Sequence, residues 1–219
     1  MIKKIPRYAI IPTIVLMLLQ YLAYYGTQFI NKYLPAYDFT IPAFDEKVPV
    51  LTFFIIFYIL SCPWWYISPF IVATISKRKF YDWTLALMIC FVIGGIIFIA
   101  IPTTITRPIL KNDNVFNILT NIIYQNDSPA RPINLFPSFH CIISWFDYMG
   151  VRRDKSIPLW YRLSALIFAI LICLSTQFVK QHYIVDLISG IIIAEVVYFL
   201  VKKFNWGRIL QRLYKDNLN

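Results

Sequence analysis

The stretch from Trp83 to Ile101, WTLALMICFVIGGIIFIAI, carries no charged side chain. A helix rises about 1.5 Å per residue, so an apolar run of about 20 residues is long enough to cross the hydrocarbon core of a bilayer. The stretch therefore predicts a membrane-spanning helix. Gly94 and Gly95 lie just past its midpoint, and such small residues predict a place where another helix packs closely.

The composition of the whole chain agrees with this prediction. Of the 219 residues, 59% are hydrophobic and 15% are charged, whereas soluble domains carry about 25% charged residues. The apolar residues lie in long runs, which predict an all-α integral membrane protein, a six-transmembrane-helix bundle with one domain over residues 1–219. The predicted spans are residues 8–30, 49–75, 83–101, 137–150, 160–178 and 182–201.

Two spans and one connection have distinctive features. Pro63 and Pro69 remove backbone donors from the second span and predict a bend in it. The fourth span is shorter than the usual ~20 residues and can extend as far as Asp154. The connection over residues 102–136 predicts a short interfacial amphipathic helix, because apolar residues recur in it at helical spacing. These residues are Val115, Phe116, Ile118, Leu119, Ile122 and Ile123.

The net charge of +10 does not predict a nucleic-acid partner, because the basic residues cluster on alternate loops. This is the positive-inside pattern, and it predicts cytoplasmic N- and C-termini. The basic tail from Lys202 to Lys215 is also suited to contact anionic lipid head groups. The other clusters are Lys3, Lys4 and Arg7; Lys77, Arg78 and Lys79; and Arg152, Arg153, Lys155 and Arg162.

The cysteines and the N-terminus suggest no further chemistry. Cys62, Cys90, Cys141 and Cys173 lie in apolar runs with neither metal-ligand spacing nor a disulfide framework, so we expect buried, small hydrophobic side chains. The basic and apolar N-terminal residues resemble a signal peptide. No small-residue cleavage site follows them, so the first span is predicted to be retained.

The predicted topology brings polar residues together at the extracytoplasmic face, where the third span ends and the fourth and sixth begin. Arg107, His140 and His182 are expected at this face, and the two histidines are the only ones in the chain. Asp186 lies four residues after His182, which places both on one face of a helix with Cβ atoms about 6 Å apart. A carboxylate in that position fixes the imidazole tautomer and makes the histidine a nucleophile toward phosphorus. The alternative is a buried ion pair that only stabilises the helix.

The other candidates suit the binding of an anion. Pro137 and Ser138 favour a helix start, whose free N–H groups attract a phosphate. His140 is suited to protonate a leaving oxygen, or is a hydrogen-bonded histidine at the interface. Arg107 suits a bidentate phosphate contact, or lies at the bilayer edge with its charge in water.

Further charged and polar residues are weaker candidates. Lys180 is a possible second positive charge, and Lys111, Arg131 and Asn134 follow it. Asp147 and Glu195 lie too far along their spans to reach the outer face, so we expect contacts between helices, with a proton pathway as the alternative.

The strings Arg107-Pro108, Pro137-Ser138-Phe139-His140 and Ser175 to Asp186 resemble, in order, the three motifs of the type 2 phosphatidic acid phosphatase (PAP2) superfamily. The resemblance lies within residues 100–190 and implies a phosphohistidine mechanism without a metal or other cofactor. By it, His182 is the nucleophile, Asp186 orients it and His140 is the general acid. It implies that the phosphate is held by Arg107, Ser138 and amides near Phe139, with Ser175 and Lys180 nearby.

Three positions depart from the motifs of the family. Ala100 stands where the first motif has lysine, Phe139 replaces a glycine, and Thr176 replaces an arginine. Two cationic phosphate contacts are absent unless Lys180 or Lys111 replaces them. The altered strings are similar to those of the inositol phosphorylceramide synthase branch, which transfers a phosphorylated head group between lipids. Fewer cations suit a phosphodiester, which carries less charge than a phosphomonoester.

The sequence thus predicts a membrane phosphatase or phosphotransferase that acts on a lipid phosphate or phospholipid at the extracytoplasmic face. A phosphodiester head-group transferase is the alternative within this class. A non-catalytic six-span transporter or lipid-binding scaffold is the alternative from another class. The lipid, the acceptor and the oligomeric state stay open.

Overall fold

A computed structural model describes residues 6–127 and 132–214 of the chain. Arg131, Lys3, Lys4 and Lys215, which the sequence analysis singled out, lie outside these residues. The described part is helical apart from two short strands, as the predicted all-α class requires.

The helices and the strands are numbered separately, each in chain order. The helices are α1 (Arg7–Asn31), α2 (Pro42–Asp45), α3 (Thr52–Ile75), α4 (Lys77–Ala100), α5 (Val115–Asp127), α6 (Phe139–Val151), α7 (Leu159–Phe178), α8 (Ile184–Lys203) and α9 (Arg208–Leu213). The strands β1 (Tyr37–Asp38) and β2 (Thr103–Thr104) pair in parallel.

Helices α1, α3, α4, α7 and α8 are long and apolar enough to cross a membrane, which makes five candidate spans in the described residues. Their bounds agree with five of the predicted spans to within a few residues, except at the start of α4. The remaining predicted span corresponds to α6, which has 13 residues. This helix is mostly buried and packs against α3, α4, α7 and α8, so it lies at the centre of the bundle.

Two glycines allow α6 to approach its neighbours. A Cβ atom on Gly94 would lie 2.2 Å from the Phe139 ring, so only glycine leaves room for that ring. The predicted close-packing point is therefore confirmed. Gly190 of α8 lies against the start of α6, where an added Cβ would be 3.0 Å from the Ser138 carbonyl oxygen. This close approach brings the beginnings of α6 and α8 together.

Some local predictions need correction. Lys77–Lys79 were predicted as a loop but form the first turn of α4, because the Ser76 hydroxyl caps the helix by accepting from the Lys79 amide at 3.2 Å. The parallel pairing of β1 with β2 was not predicted. Cys62 is exposed, whereas Cys90, Cys141 and Cys173 are buried as expected.

Candidate active site

His182 and Asp186 are in contact at the start of α8. Asp186 Oδ2 lies 3.2 Å from His182 Nδ1 and also accepts from the Tyr183 amide at 3.0 Å. The Asp186 side chain is fully buried, and within the described residues its Oδ1 atom has no hydrogen-bond partner. A buried carboxylate with one free oxygen therefore fixes the position of the imidazole.

The loop before α8 holds His182 through backbone contacts. Lys180 has a φ of 49°, in the left-handed region, where the chain turns after α7. The amides of Gln181 and His182 both donate to the Thr176 carbonyl, at 2.9 and 3.1 Å. The Gln177 side chain donates to the Tyr183 carbonyl at 3.1 Å. These contacts tie the histidine to the end of α7.

His140 lies in the first turn of α6, close to His182. The centroids of the two imidazole rings are 6.0 Å apart. The His140 ring stacks on Tyr58 at 4.2 Å and meets the Trp65 ring edge-on at 4.8 Å. At this separation the two imidazoles are close enough to contact one phosphate group placed between them.

Ser138 and Phe139 form the start of α6. The Ser138 hydroxyl accepts from the Cys141 amide at 3.3 Å, and the Ser138 amide donates to the Asp186 carbonyl at 3.2 Å. The Phe139 side chain is buried against Phe91 and Phe98. Phe139, which was expected near the phosphate, thus points its ring into the core and leaves only its backbone for an anion.

Ser175 is bonded within its own helix. Its hydroxyl is buried and donates to the Ile172 carbonyl at 2.7 Å, within its own helix. The neighbouring Thr176 hydroxyl does the same toward the Cys173 carbonyl at 2.8 Å. In this structure both hydroxyls therefore stabilise the end of α7.

Arg107 reaches the site, but its guanidinium is already paired. Nη2 lies 2.5 Å from Asp127 Oδ2 and also donates to the Gln181 side chain, while Nη1 donates to the Tyr124 carbonyl at 3.1 Å. Asp127 ends α5, and its other oxygen accepts from the Tyr24 hydroxyl at 2.6 Å. The sequence analysis did not single out Asp127. The signal that the sequence offered for it was its place just after the predicted amphipathic helix.

The weaker cationic and polar candidates have other partners or face away. Lys180 Nζ donates to the carbonyls of Asp45 at 2.8 Å and Val48 at 2.6 Å. Burial lowers the pKa of Lys180, and the nearby Asp45 carboxylate partly opposes this. The Asn134 amide contacts α1, where it donates to Tyr24 and Thr27. Lys111 is exposed.

Two cavities meet the histidines from different sides. The polar cavity, of about 810 Å³, is lined by His182, Arg107 and Lys180, together with residues from β1 to the start of α3. The aromatic cavity, of about 250 Å³, is lined by His140 and Asp127 among tyrosines and tryptophan. Because Arg107 lines one cavity and Asp127 lines the other, their ion pair lies between the two.

Helix α5 is held against the site by Tyr124 as well as by Asp127. The Tyr124 hydroxyl donates to the Val179 carbonyl at 2.6 Å, and its ring lies under the Arg107 guanidinium at 4.7 Å. Burial raises the pKa of Tyr124 to about 12, although the nearby Arg107 charge opposes the shift. The hydroxyl therefore stays protonated and able to donate near neutral pH.

Glu195 and Asp147 lie away from the histidines. Glu195 joins α8 to the end of α6, where it pairs with both terminal nitrogens of Arg152 and accepts from Trp145 at 2.8 Å. The predicted contact between helices is present for Glu195. Asp147 is buried, and neither of its oxygens has a hydrogen-bond partner in residues 6–127 and 132–214. These residues also contain no group of histidine, cysteine or acidic side chains arranged to hold a metal.

The comparison with protein families identifies the class of protein. A family model described as the PAP2 superfamily matches residues 39–200, which include Arg107, both histidines and Asp186. The chain therefore belongs to the PAP2 superfamily. This membership supports a phosphatase- or phosphotransferase-type activity in general. Comparisons with curated proteins and with solved structures found no match.

Proposed function

We propose that this protein is a membrane-embedded phosphatase or phosphotransferase that acts on lipid phosphates through a phosphohistidine at His182. The observation that carries the proposal is the separation of 6.0 Å between the His182 and His140 rings, with the buried Asp186 carboxylate behind His182. Two imidazoles on either side of one phosphate serve as nucleophile and acid in the same step.

The proposed reaction begins at His182. Donation from His182 Nδ1–H to Asp186 leaves a lone pair on Nε2. Nε2 attacks phosphorus and forms a P–N bond, while the bond from phosphorus to the leaving oxygen breaks. His140 gives its proton to that oxygen. In the second step His140 takes a proton from water or from an acceptor alcohol, whose oxygen displaces His182 and completes the cycle.

Arg107 is the proposed cation for the transferred phosphate. Its Nη2 atom contacts the side chain of Gln181, the residue next to His182, so the guanidinium lies beside the nucleophile. In the structure the Asp127 carboxylate contacts this guanidinium at 2.5 Å. Substrate binding then requires that the phosphate displace this carboxylate. The amides at the start of α6, including those of Phe139 and His140, supply further donors.

Lys180 is the proposed second cation, in the polar cavity with Arg107 and His182. Its ammonium group donates to the carbonyls of Asp45 and Val48. Lys180 therefore attracts the phosphate through its positive charge from across the cavity, without a direct hydrogen bond. Ser138 and Ser175 serve the site by fixing the helix ends that carry His140 and the loop before His182.

We assign the aromatic cavity to the groups that leave and enter, and the polar cavity to the group that is transferred. His140 protonates the leaving oxygen, and its aromatic cavity includes Tyr21, Tyr25 and Tyr66, which are exposed at the outer surface of the bundle. The leaving group on that side is a lipid alcohol. Water or the acceptor enters on the same side, because His140 also takes its proton. The polar cavity on the His182 side, with Arg107 and Lys180, takes the transferred phosphate and any head group attached to it. Its size and the missing cations at Ala100 and Thr176 favour a head-group transferase as the second candidate.

The proposed topology has six spans, with α6 as the short central one and α5 lying in the interface. The histidines lie at the N-terminal ends of α6 and α8, and Arg152, Lys202 and Lys203 lie at the opposite ends. The positive-inside rule then places the basic ends and the termini in the cytoplasm. The site faces the extracytoplasmic side.

The test is the turnover of purified protein in nanodiscs with phosphatidic acid, a prenyl pyrophosphate and phospholipid donors. We expect His182→Ala to lower activity by at least about 10³-fold. Lys111→Ala, an exposed cation outside both cavities, is the matched control and should keep wild-type activity. Quenching at alkaline pH, at which the acid-labile P–N bond survives, followed by mass spectrometry at neutral to alkaline pH should detect a phosphate on the His182 peptide.

The outcomes separate the candidate functions. Phosphate release without a lipid acceptor indicates a hydrolase, whereas products that need an added acceptor lipid indicate a transferase. Turnover by the His182→Ala protein at the wild-type rate would rule out the mechanism. Tight binding of a phosphate analogue with no turnover across the lipid panel would favour the non-catalytic scaffold.

A further inference from the structure

A third cavity lies at the end of the bundle opposite the histidines. This basic cavity has a volume of about 520 Å³ and forms where the start of α4 meets the ends of α6 and α8. Helix α6 separates it from His140 by ~20 Å of helical rise. Its lining residues include the cations Lys79, Arg152, Arg153, Lys202 and Lys203 and the single acid Glu195.

Two of the five cations are neutralised within the protein. Lys79 pairs with Asp154 at 3.1 Å, and Arg152 pairs with Glu195. In the part of the chain that the structure describes, no ion pair is formed by Arg153, Lys202 or Lys203. Like charges gathered around one cavity repel each other, so an anion that enters it lowers the electrostatic free energy.

The surroundings of the basic cavity favour an anion that is attached to a lipid. Phe199 also lines the cavity and is 61% exposed, and the nearby Phe204 and Trp206 are exposed as well. Lys203 Nζ lies 5.7 Å from the Phe199 ring and 5.5 Å from the Phe204 ring. An exposed tryptophan just past the end of a membrane-spanning helix, as Trp206 is, marks the level of the lipid head groups.

From this arrangement we infer that the basic cavity binds the head group of an anionic phospholipid. Arg153, Lys202 and Lys203 contact its phosphate, and its acyl chains run along the exposed apolar face of α8, which includes Phe199 and Val196. Basic pockets between membrane helices bind anionic head groups in this way. Because the occupant joins α4, α6 and α8, binding also stabilises the fold. This site does not depend on the proposed reaction at His182.

The experiment compares lipid retention and thermal unfolding of the full chain in a neutral detergent. Phosphatidylglycerol is the probe, phosphatidylcholine is the zwitterionic lipid, and inorganic phosphate is the soluble anion. The variant Arg153→Gln/Lys202→Gln/Lys203→Gln removes the free cations. The control Arg7→Gln/Lys111→Gln/Lys155→Gln removes the same charge from exposed positions outside the basic cavity.

We expect phosphatidylglycerol to be retained in native mass spectra of the wild type and of the control, and to raise their unfolding temperature. The cavity variant should bind it at least about tenfold more weakly, because it loses charge-assisted hydrogen bonds. The conservative variant Arg153→Lys/Lys202→Arg/Lys203→Arg should restore retention, which separates lost binding from misfolding.

Three results would overturn the inference. The first is equal retention of phosphatidylglycerol by the wild type and the cavity variant. The second is a loss of retention in the control as large as the loss in the cavity variant. The third is equal stabilisation by phosphatidylcholine or by inorganic phosphate, since neither needs a site for an anionic lipid.

Discussion

Each end of the bundle holds an arginine–carboxylate pair, and the two pairs differ in what they connect. Arg152 and Glu195 join the central helix α6 to α8. Arg152 Nη1 donates to Glu195 Oε1 and Nη2 donates to Oε2 at 2.8 Å, while the Trp145 indole donates to the same carboxylate. Arg107 and Asp127 join a loop to the end of α5, a helix on the outside of the bundle. The first pair holds two core helices together, whereas the second lies between the polar cavity, which His182 lines, and the aromatic cavity, which His140 lines. Under the proposed function, the first pair is a fixed contact between helices and the second exchanges its carboxylate for the phosphate of the substrate.

The largest expected effect contrasts the two carboxylates of α8, the buried Asp186 and the half-exposed Glu195. Asp186→Asn should lower turnover by about 10³- to 10⁴-fold, because the amide no longer selects the His182 tautomer that attacks phosphorus. Glu195→Gln, on the same helix, should stay within about threefold of the wild type. Steady-state kinetics on the best lipid of the panel measure both, and a greater loss in Glu195→Gln would contradict the contrast.

Next come the arginines themselves. Arg107→Lys should lower kcat/KM by about 10²-fold, because an ammonium group cannot replace the guanidinium contacts with a phosphate. Arg152→Lys should leave kcat/KM nearly unchanged and lower the unfolding temperature, because it weakens a contact between helices. Kinetics and thermal unfolding of both proteins provide the check. Equal losses of kcat/KM would show that the two pairs do not differ in function.

A smaller effect is expected in the packing behind the site. Gly94→Ala should lower the free energy of unfolding by about 1–3 kcal/mol, since its Cβ would overlap the Phe139 ring. Gly26→Ala is the control, because nothing lies within 4 Å of an added Cβ there. Adding Phe139→Leu to Gly94→Ala should recover part of the loss. Thermal unfolding measures all three, and no recovery would place the strain elsewhere.

The smallest effect tests whether the Arg107–Asp127 pair is exchangeable. Asp127→Asn should make a phosphate analogue such as vanadate bind about fivefold more tightly, because the guanidinium no longer has to release a carboxylate. Tyr24→Phe removes the hydroxyl from the same carboxylate and should shift the affinity less. Inhibition constants measure these changes. Weaker inhibition of Asp127→Asn would instead mean that the carboxylate orients Arg107 for its ligand.

Several of these features were predictable because they depend on local spacing. The five long helices follow from the length of their apolar runs. The contact of His182 with Asp186 was expected from a spacing of four residues on a helix. The contact is present, but His182 lies in the loop before α8, and Asp186 in the first turn reaches back to it and to the Tyr183 amide. The close contact at Gly94 was predictable from its small size within an apolar run. The identity of its partner, Phe139, was not predictable in this way.

Other features depend on contacts between distant parts of the chain. The Gln181 partner of Arg107 is 74 residues away, and the Asp45 carbonyl that holds Lys180 is 135 residues away. The charge of Arg107 and Lys180 suggested free cations for a phosphate. The structure gives both of them partners, because a cation that folding partly buries must be hydrogen-bonded.

By itself the sequence determined that the chain is a helical membrane protein, and it predicted that two histidines and an acid come together at one end of the bundle. Hydrophobic length and helical periodicity act over a few turns, so they can be read from neighbouring residues. Only the tertiary structure decided that the Phe139 ring packs in the core, that Asp127 pairs with Arg107, and that His140 and His182 line different cavities. These outcomes depend on how α5, α6 and α8 pack, and packing selects partners by shape across the whole bundle.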